Sequence, residues 1–207
     1  MFDKKTVKDV DVKDQVVLVR ADYNVPLARR EDGSWQITSD FRIRESLPTL
    51  KYLLEHGASR VVMLSHLGRP KGKDADLSLK IVAEKLAELL PGVPVGFVGE
   101  CRGDEVEQAV ADTPKGGVLL LENLRFDPDE KKNSEELAED IVRSTGATLF
   151  VQDGFAVTHR AHASTVAIAK LLPAVAGLLV EKEVTTLKKA LEDPSRPLVT
   201  IIGGMKV

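Results

Sequence analysis

Short, mainly apolar runs recur along the chain, and longer segments with a helix-like apolar stripe separate most of them. The runs occupy residues 16–19, 61–64, 93–98, 118–121, 149–151 and 198–202. Most are rich in β-branched residues and bounded by turn-forming residues, a pattern typical of strands that are buried on both faces of a sheet. We therefore predict a strand at each of these positions.

Apolar positions spaced three and four residues apart predict helices between the strands. The first helix follows Asp40, contains Pro48 and ends at Gly57. Further helices are predicted over residues 78–90, 104–111, 133 or 134 to 146, and 178–191. Strands and helices that alternate in this way form parallel βαβ units with right-handed crossovers. The predicted fold is α/β, with a doubly wound, Rossmann-like parallel sheet and helices on both faces.

The composition is that of an ordinary globular protein, with 43% hydrophobic and 29% charged residues. A formal net charge of −3 argues against a dedicated nucleic-acid or polybasic membrane binder. The single cysteine, Cys101, excludes an internal disulfide framework and fits a reducing cytosol, and we interpret it as structural. No apolar run approaches the ~20 residues of a membrane span, and the charged N-terminus has no signal-peptide pattern. We expect a cytoplasmic monomer with neither nucleic-acid nor membrane partners.

Polar side chains collect directly after four of the predicted strands. They lie in residues 20–24, 65–70, 122–126 and 152–162, and arginine and histidine are prominent among them. Ligands of open α/β sheets bind at the carboxyl ends of the strands. A single exposed arginine is as often a solvated surface charge as a functional residue. Several arginines at one sheet edge, however, match the oxygens of a phosphate or carboxylate ligand. The pattern therefore predicts a small polyanionic ligand.

Other site chemistries find less support. No G-x-G-x-x-G follows the first strand, and residues 68–73 have three rather than four residues between their glycines, so neither the dinucleotide nor the P-loop pattern is present. His66, His159 and His162 lack zinc-site spacing, and we expect no metal site. Acid–base catalysis by a carboxylate pair stays open as an alternative, but no pair stands out among the 32 acidic residues.

Four segments resemble, in order, the signatures of the phosphoglycerate kinase family. They are VLVRADYNVP at residues 17–26, SHLGRP at 65–70, ENLRF at 122–126 and HRAHAST at 159–165. The segment GGMKV at residues 203–207 is similar to the one that opens the second domain of that family. Any one of these segments would be weak evidence, but together, in this order and across almost the whole chain, they are highly specific.

The resemblance implies reversible phosphoryl transfer from 1,3-bisphosphoglycerate to ADP, giving 3-phosphoglycerate and ATP in glycolysis. It implies Mg²⁺ with ADP or ATP in the full-length enzyme, and no cofactor in this chain alone. Positioning and charge neutralisation carry such a reaction, which suits arginines and a lysine without a nucleophile. The family's substrate-binding positions correspond here to Asp22, Tyr23, Asn24, Arg42, His66, Leu67, Gly68, Arg69, Arg125 and Arg160.

The resemblance also assigns roles within this set. Asp22 and Asn24 would bind the hydroxyl and carboxylate end of the glycerate, and Arg42 would neutralise charge on the transferring group. Lys206 would contact the nucleotide phosphates and, with Arg42, carry catalysis. The basic patch for the 3-phosphate would consist of His66, Arg69, Arg125 and Arg160.

Three parts are expected along the chain. Residues 1–173 would form a 3-phosphoglycerate-binding domain, residues 174–197 an interdomain helix and linker, and residues 198–207 the start of a nucleotide-binding domain whose remainder is missing. On this hypothesis the chain is the glycerate half of a kinase and is inactive alone. The alternative is a stand-alone module that binds phosphorylated carboxylates or a partner protein. An unpaired apolar strand at residues 198–202 favours the first hypothesis, because a self-sufficient module should not end in one.

Overall fold

The computed structural model describes residues 2–192, 194–201 and 203. The strands of this part of the chain are β1 (Val16–Arg20), β2 (Leu27–Arg29), β3 (Trp35–Ile37), β4 (Arg60–Leu64), β5 (Val95–Val98), β6 (Gly117–Leu121), β7 (Leu149–Gln152) and β8 (Ala174–Ala176). Its α-helices are α1 (Phe41–Glu55), α2 (Lys80–Leu89), α3 (Asp104–Asp112), α4 (Glu135–Thr145), α5 (Ile168–Leu171) and α6 (Leu178–Glu192).

A six-stranded sheet with the order β5-β6-β4-β1-β7-β8 forms the centre of the molecule, and every strand pair in it is parallel. Successive side chains of β1 enter two different cores. Val17 and Val19 pack with α1 and α2, whereas Leu18 packs with α3, α4 and α5. All three valine and leucine side chains are fully buried because helices cover both faces of the sheet. The predicted α/β, Rossmann-like architecture is confirmed.

Two predicted helix boundaries show how local residues set the ends. Ser134 precedes α4, and its Oγ accepts a hydrogen bond from the amide of Leu137 at 3.3 Å. Gly146 follows α4 with φ +60°, a left-handed conformation that favours glycine. The second predicted helix, α2, starts two residues later than expected, because Ser78 donates to Glu122 at 2.7 Å and lies outside the helix.

The N-terminus of α6 is attached to the sheet and to α1. The amide of Leu178 donates to Thr49 Oγ1 at 2.9 Å, and the amide of Leu179 donates to Asp153 Oδ1 at 3.0 Å. Further along α6, Lys182 forms an ion pair with Glu45 of α1 at 2.6 Å. Asp153, which follows β7, and residues of α1 therefore fix the position of the start of α6.

Within residues 2–192, 194–201 and 203, no helix combines the length and apolarity needed to cross a membrane.

Three elements differ from the sequence prediction. The antiparallel β2–β3 hairpin and the short strand β8 were not predicted, and β8 joins the same sheet although it follows residue 173. The predicted strand over 198–202 is wrong for residues 198–201, which form no strand, and Ile202 lies outside the described residues. A strand needs a hydrogen-bonded neighbour, and the described apolar side chains of this segment are instead exposed. Ile201, for example, is 92% exposed.

Candidate functional site

A cavity of about 450 Å³ opens where β1, β4, β6 and β7 end. Its walls are mainly charged or polar, and they bring together side chains from five separate segments. The polar lining consists of Asp22, Asn24, Arg42, His66, Arg69, Arg125, Lys131, His159, Arg160 and His162. We refer to this space as the arginine cavity, after the four arginines in that list.

A larger cavity, of about 650 Å³, lies between the β2–β3 hairpin and α2. Its lining includes Lys73 and Lys80, but also Asp74, Asp76 and Glu84. Charges of both signs therefore alternate around it, whereas the arginine cavity has a strong excess of cations. Of these two cavities, the arginine cavity has the electrostatic character of a polyanion site.

Seven of the residues predicted to bind substrate line the arginine cavity: Asp22, Asn24, Arg42, His66, Arg69, Arg125 and Arg160. Tyr23, Leu67 and Gly68 do not line it. The predicted nucleotide-contacting residue, Lys206, lies outside the described residues. The strand-end pattern in the sequence thus identified most of one cavity wall.

Tyr23, which was predicted to bind substrate, is part of the core and does not line the cavity. Its side chain is fully buried, and its hydroxyl shares a 2.9 Å hydrogen bond with Ser46 Oγ of α1. Its backbone amide donates to Ser65 Oγ at 2.8 Å. Because both of these polar groups are used inside the protein, Tyr23 fixes the segment after β1.

Leu67 and Gly68 also hold a loop in place instead of lining the cavity. Asn123 brackets Leu67, accepting from its amide at 3.3 Å and donating to its carbonyl at 2.8 Å. The Gly68 amide donates to Asn24 Oδ1 at 2.8 Å, and the Gly68 carbonyl accepts from Arg125 Nη1 at 2.5 Å. The loop after β4 is thereby attached to the segments after β1 and β6.

Asp22 is the one carboxylate among the arginine cavity's lining residues. Its Oδ2 accepts a hydrogen bond from Arg42 Nη1, and its Oδ1 accepts from the amide of Asn24 at 3.1 Å. The amide oxygen of Asn24 is engaged by Gly68, which leaves its Nδ2 group as the donor available to a ligand. The cavity therefore combines several donors with one acceptor.

The arginines on the cavity wall are close enough to affect one another. Burial lowers the pKa of Arg125, and the positive charges of Arg69 and Arg160 lower it further, whereas Glu130 and Asp22 oppose the shift. Such mutual repulsion costs free energy, and an anion between the guanidinium groups would offset it.

His66 is almost completely buried on the cavity wall, 3% exposed. Burial lowers the pKa of this imidazole to about 2, and the charges of Arg20, Arg125 and Arg42 add to the shift. His66 is therefore neutral at physiological pH, and its contact with the 3-phosphate stays a prediction. It can still offer a hydrogen bond from a ring N–H.

A buried polar network that the sequence analysis missed lies behind His66. Arg20, the last residue of β1, is 1% exposed, and its Nη2 lies 3.0 Å from His66 Nδ1. Its Nε donates to Ser164 Oγ at 2.9 Å, and Ser164 Oγ donates to Glu130 Oε1 at 2.6 Å. The signal in the sequence was an arginine at the end of an apolar run that is typical of a buried strand, because a buried charge requires partners.

Glu130 is the buried anion of this network, 1% exposed. Burial by itself raises its pKa, but the hydrogen bond with His162, the charge of Arg20 and the hydrogen bonds from Ser164 outweigh burial and leave the pKa below its ordinary value. The His162 Nδ1 lies 3.4 Å from Glu130 Oε1. Glu130 is therefore an anion at neutral pH, and it balances part of the charge that Arg20 brings into the interior.

The site offers cations and neutral donors rather than metal ligands. In the described part of the chain, no group of three histidine, cysteine, aspartate or glutamate side chains is placed to hold a metal ion. Cys101 is buried, and burial raises the pKa of its thiol to about 12, so it is an unreactive packing residue.

Comparison with known proteins places this site in context. A model of the phosphoglycerate kinase family matches residues 7–207. The phosphoglycerate kinase of Dictyoglomus turgidum is 49% identical over 207 residues, and that of Moorella thermoacetica is 52% identical over 205 residues. Each alignment covers 99% of this chain and 50% of the relative. The chain thus spans about half the length of the curated relatives it matches.

Solved structures give the same result. The structure of phosphoglycerate kinase from Coxiella burnetii superposes with a TM-score of 0.78 at 34% identity, covering 97% of this chain and 48% of that one. The phosphoglycerate kinase from Pyrococcus horikoshii also gives a TM-score of 0.78, at 33% identity over 93% of this chain and 47% of the other.

Proposed function

Because this chain belongs to the phosphoglycerate kinase family, we propose that the arginine cavity binds 3-phosphoglycerate or 1,3-bisphosphoglycerate as the glycerate half of the kinase reaction. The observation that carries the proposal is the convergence of Arg42, Arg69, Arg125 and Arg160 on one cavity at the carboxyl edge of the sheet. A ligand with several negative charges would offset the repulsion between these groups.

The position of Asp22 narrows the ligand class. A carboxylate in a cationic cavity is unfavourable next to a purely anionic ligand, but it is an acceptor for a ligand hydroxyl. 3-Phosphoglycerate has a phosphate, a carboxylate and one free hydroxyl. We propose that Asp22 accepts from that hydroxyl, that Asn24 donates to the carboxylate end, and that Arg69, Arg125, Arg160 and the neutral His66 hold the 3-phosphate.

Arg42 is proposed to act on the group that is transferred. It lines both the arginine cavity and a neighbouring cavity of about 250 Å³ that is bordered by Phe155 and by Leu179 of α6. Arg42 thus borders the cavity on the side of α6. From there it would offset charge on the acyl phosphate, and phosphoryl transfer depends chiefly on such positioning and charge neutralisation.

The whole reaction is proposed to be reversible phosphoryl transfer between 1,3-bisphosphoglycerate and ADP in the cytoplasm, with Mg²⁺ bound together with ADP or ATP. In this assignment, residues 1–173 hold the glycerate ligand, residues 174–197 form the connection, and residues 198–207 begin the nucleotide-binding part. The proposed contact of Lys206 with the nucleotide rests on the family resemblance alone. The chain alone is proposed to be a monomer that binds its ligand without turnover.

Calorimetric titration of the 207-residue chain tests the binding proposal. We expect 3-phosphoglycerate to bind more tightly than glycerol 3-phosphate, which lacks the carboxylate, and more tightly than inorganic phosphate. The affinity should fall as salt rises, because the contacts are ionic. Equal affinities for the three anions, or no binding of 3-phosphoglycerate at low salt, would contradict the proposal.

A further inference from the structure

We propose that Arg20 is a positioning residue that fixes the tautomer of His66, so that the buried imidazole presents its Nε2–H as a donor to the arginine cavity. The polar network of Glu130, Ser164, Arg20 and His66 carries this inference. The consequence for ligand affinity rests on the proposed function, whereas the tautomer itself does not.

The direction of each hydrogen bond in the network follows from chemistry. An ionised carboxylate only accepts, so the 2.6 Å contact between Ser164 and Glu130 uses the serine proton. A guanidinium only donates, so Arg20 Nε donates to Ser164 Oγ at 2.9 Å. For the same reason, the 3.0 Å contact between Arg20 Nη2 and His66 Nδ1 requires an unprotonated Nδ1.

A neutral imidazole with an unprotonated Nδ1 carries its proton on Nε2. That nitrogen lies 4.0 Å from Asp22 Oδ1, beyond hydrogen-bond distance. His66 lines the arginine cavity, so its Nε2–H is the polar group that it offers to a ligand. The opposite tautomer would direct a lone pair at phosphate or carboxylate oxygens and repel them.

The network also holds Arg20 in one orientation. Its Nη1 donates to the carbonyl of Ala21 and lies 3.5 Å from the carbonyl of Leu64, while Nε and Nη2 serve Ser164 and His66. Three edges of the planar guanidinium are thus fixed by the ends of β1 and β4 and by Ser164. A lysine could not satisfy all three directions at once.

The first test is the tautomer of the native chain. Imidazole-labelled protein would be examined by long-range ¹H–¹⁵N correlation NMR at neutral pH. We expect His66 to show an unprotonated-type shift at Nδ1 and a protonated-type shift at Nε2. A protonated Nδ1 would overturn the inference, whatever the affinity of the cavity.

The second test is a charge-balanced double variant, Arg20→Met with Glu130→Gln, which removes the donor without leaving a buried charge unpaired. We expect a protonated-type fraction to emerge at Nδ1 and the affinity for 3-phosphoglycerate to fall roughly 5–30-fold, although every arginine of the cavity remains. Ser46→Ala, which removes a different buried hydrogen bond, should leave the His66 shifts unchanged.

The outcomes separate the two proposals. An Nδ1 that stays fully unprotonated in the folded double variant would overturn the role of Arg20. Absence of 3-phosphoglycerate binding by the native chain, with the expected tautomer present, would instead overturn the proposed function and leave the assignment of Arg20 standing. Circular dichroism establishes that the variants compared are folded.

Discussion

Arg125 donates a hydrogen bond from Nη1 to the backbone carbonyl of Gly68 at 2.5 Å, which ties the segment after β6 to the loop after β4. Gly68 has φ +63°, and a Cβ built on it would lie 2.8 Å from Leu77 Cδ2. A side chain at this position would therefore adopt a strained left-handed backbone conformation and would displace the Leu77 side chain. The position of Arg125, which lines the arginine cavity, therefore depends on the backbone of Gly68, which does not line it.

Gly68→Ala should reduce stability by roughly 1–2 kcal/mol, the cost of a left-handed conformation for a residue with a Cβ, with an added clash against Leu77. Affinity for 3-phosphoglycerate should fall as well, because the carbonyl that positions Arg125 shifts. Urea denaturation and calorimetry measure the two effects. Gly33→Ala is the matched control, since Gly33 has φ +81° but nothing within 4 Å of its built Cβ, so it should lose stability without losing affinity.

Arg125→Ala should weaken binding of 3-phosphoglycerate by roughly 1.5–3 kcal/mol, the range for a hydrogen bond to a charged group. Arg125→Lys should fall between alanine and the native residue, because it keeps the charge but loses the planar fork. Calorimetry at low salt is the measurement. Arg44→Ala is the control, because Arg44 forms an ion pair with Asp40 at 2.9 Å and does not line the arginine cavity. Native affinity in Arg125→Ala would remove this residue from the site.

Asp153 should make stability depend on pH. Burial raises its pKa to about 7, and its Oδ2 has no hydrogen-bond partner in the part of the chain that the structure describes. Gly177 packs against the carboxyl group so closely that no side chain fits at this position. Between about pH 4 and pH 7 the folded chain holds a proton that the unfolded chain has lost. The contribution of Asp153 to the free energy of unfolding is therefore most favourable near pH 4 and falls as pH rises to about 7. Above that pH, the cost of the buried, ionised carboxylate stays constant.

The variant Asp153→Asn tests that dependence, because it keeps an acceptor oxygen for Leu179 but cannot ionise. We expect the difference in unfolding free energy between Asp153→Asn and the native chain to grow in favour of the variant from pH 4 to pH 7 and then to level off. Comparing the two proteins cancels carboxylates such as Glu130, whose lowered pKa acts in the opposite direction. Urea denaturation across this range is the measurement, and a flat difference would contradict the prediction.

The exposed apolar segment after α6 should contribute little to the stability of the chain. Leu198, Val199 and Ile201 are 52%, 76% and 92% exposed. Replacing all three by threonine should change the free energy of unfolding by about 0.5 kcal/mol or less, as for other exposed sites. In contrast, Val180→Ala in α6, at a side chain only 7% exposed, should cost about 1.5 kcal/mol. Thermal denaturation distinguishes the two results.

The central strands were predictable because their local signal is strong. β1, β4, β6 and β7 contain short apolar runs of the kind typical of a sheet covered on both faces. The helices between them have clear apolar stripes and, for α4, recognisable caps. β8 is three residues, two of them alanine, and is a strand only because β7 provides its hydrogen-bond partners. The β2–β3 hairpin is similarly short and includes a charged residue.

The sequence by itself determined the fold class, the family and most of the arginine cavity, because the segments that follow parallel strands begin at one edge of the sheet. Only the tertiary structure decided that Tyr23 is a core residue, that His66 is neutral, and that Arg20 stands behind it. Burial and proton position depend on groups far apart in the chain: Arg20 meets Ser164 across 144 residues. No local pattern records such a contact, because the desolvation and hydrogen bonds that set charge and tautomer exist only after the segments have come together.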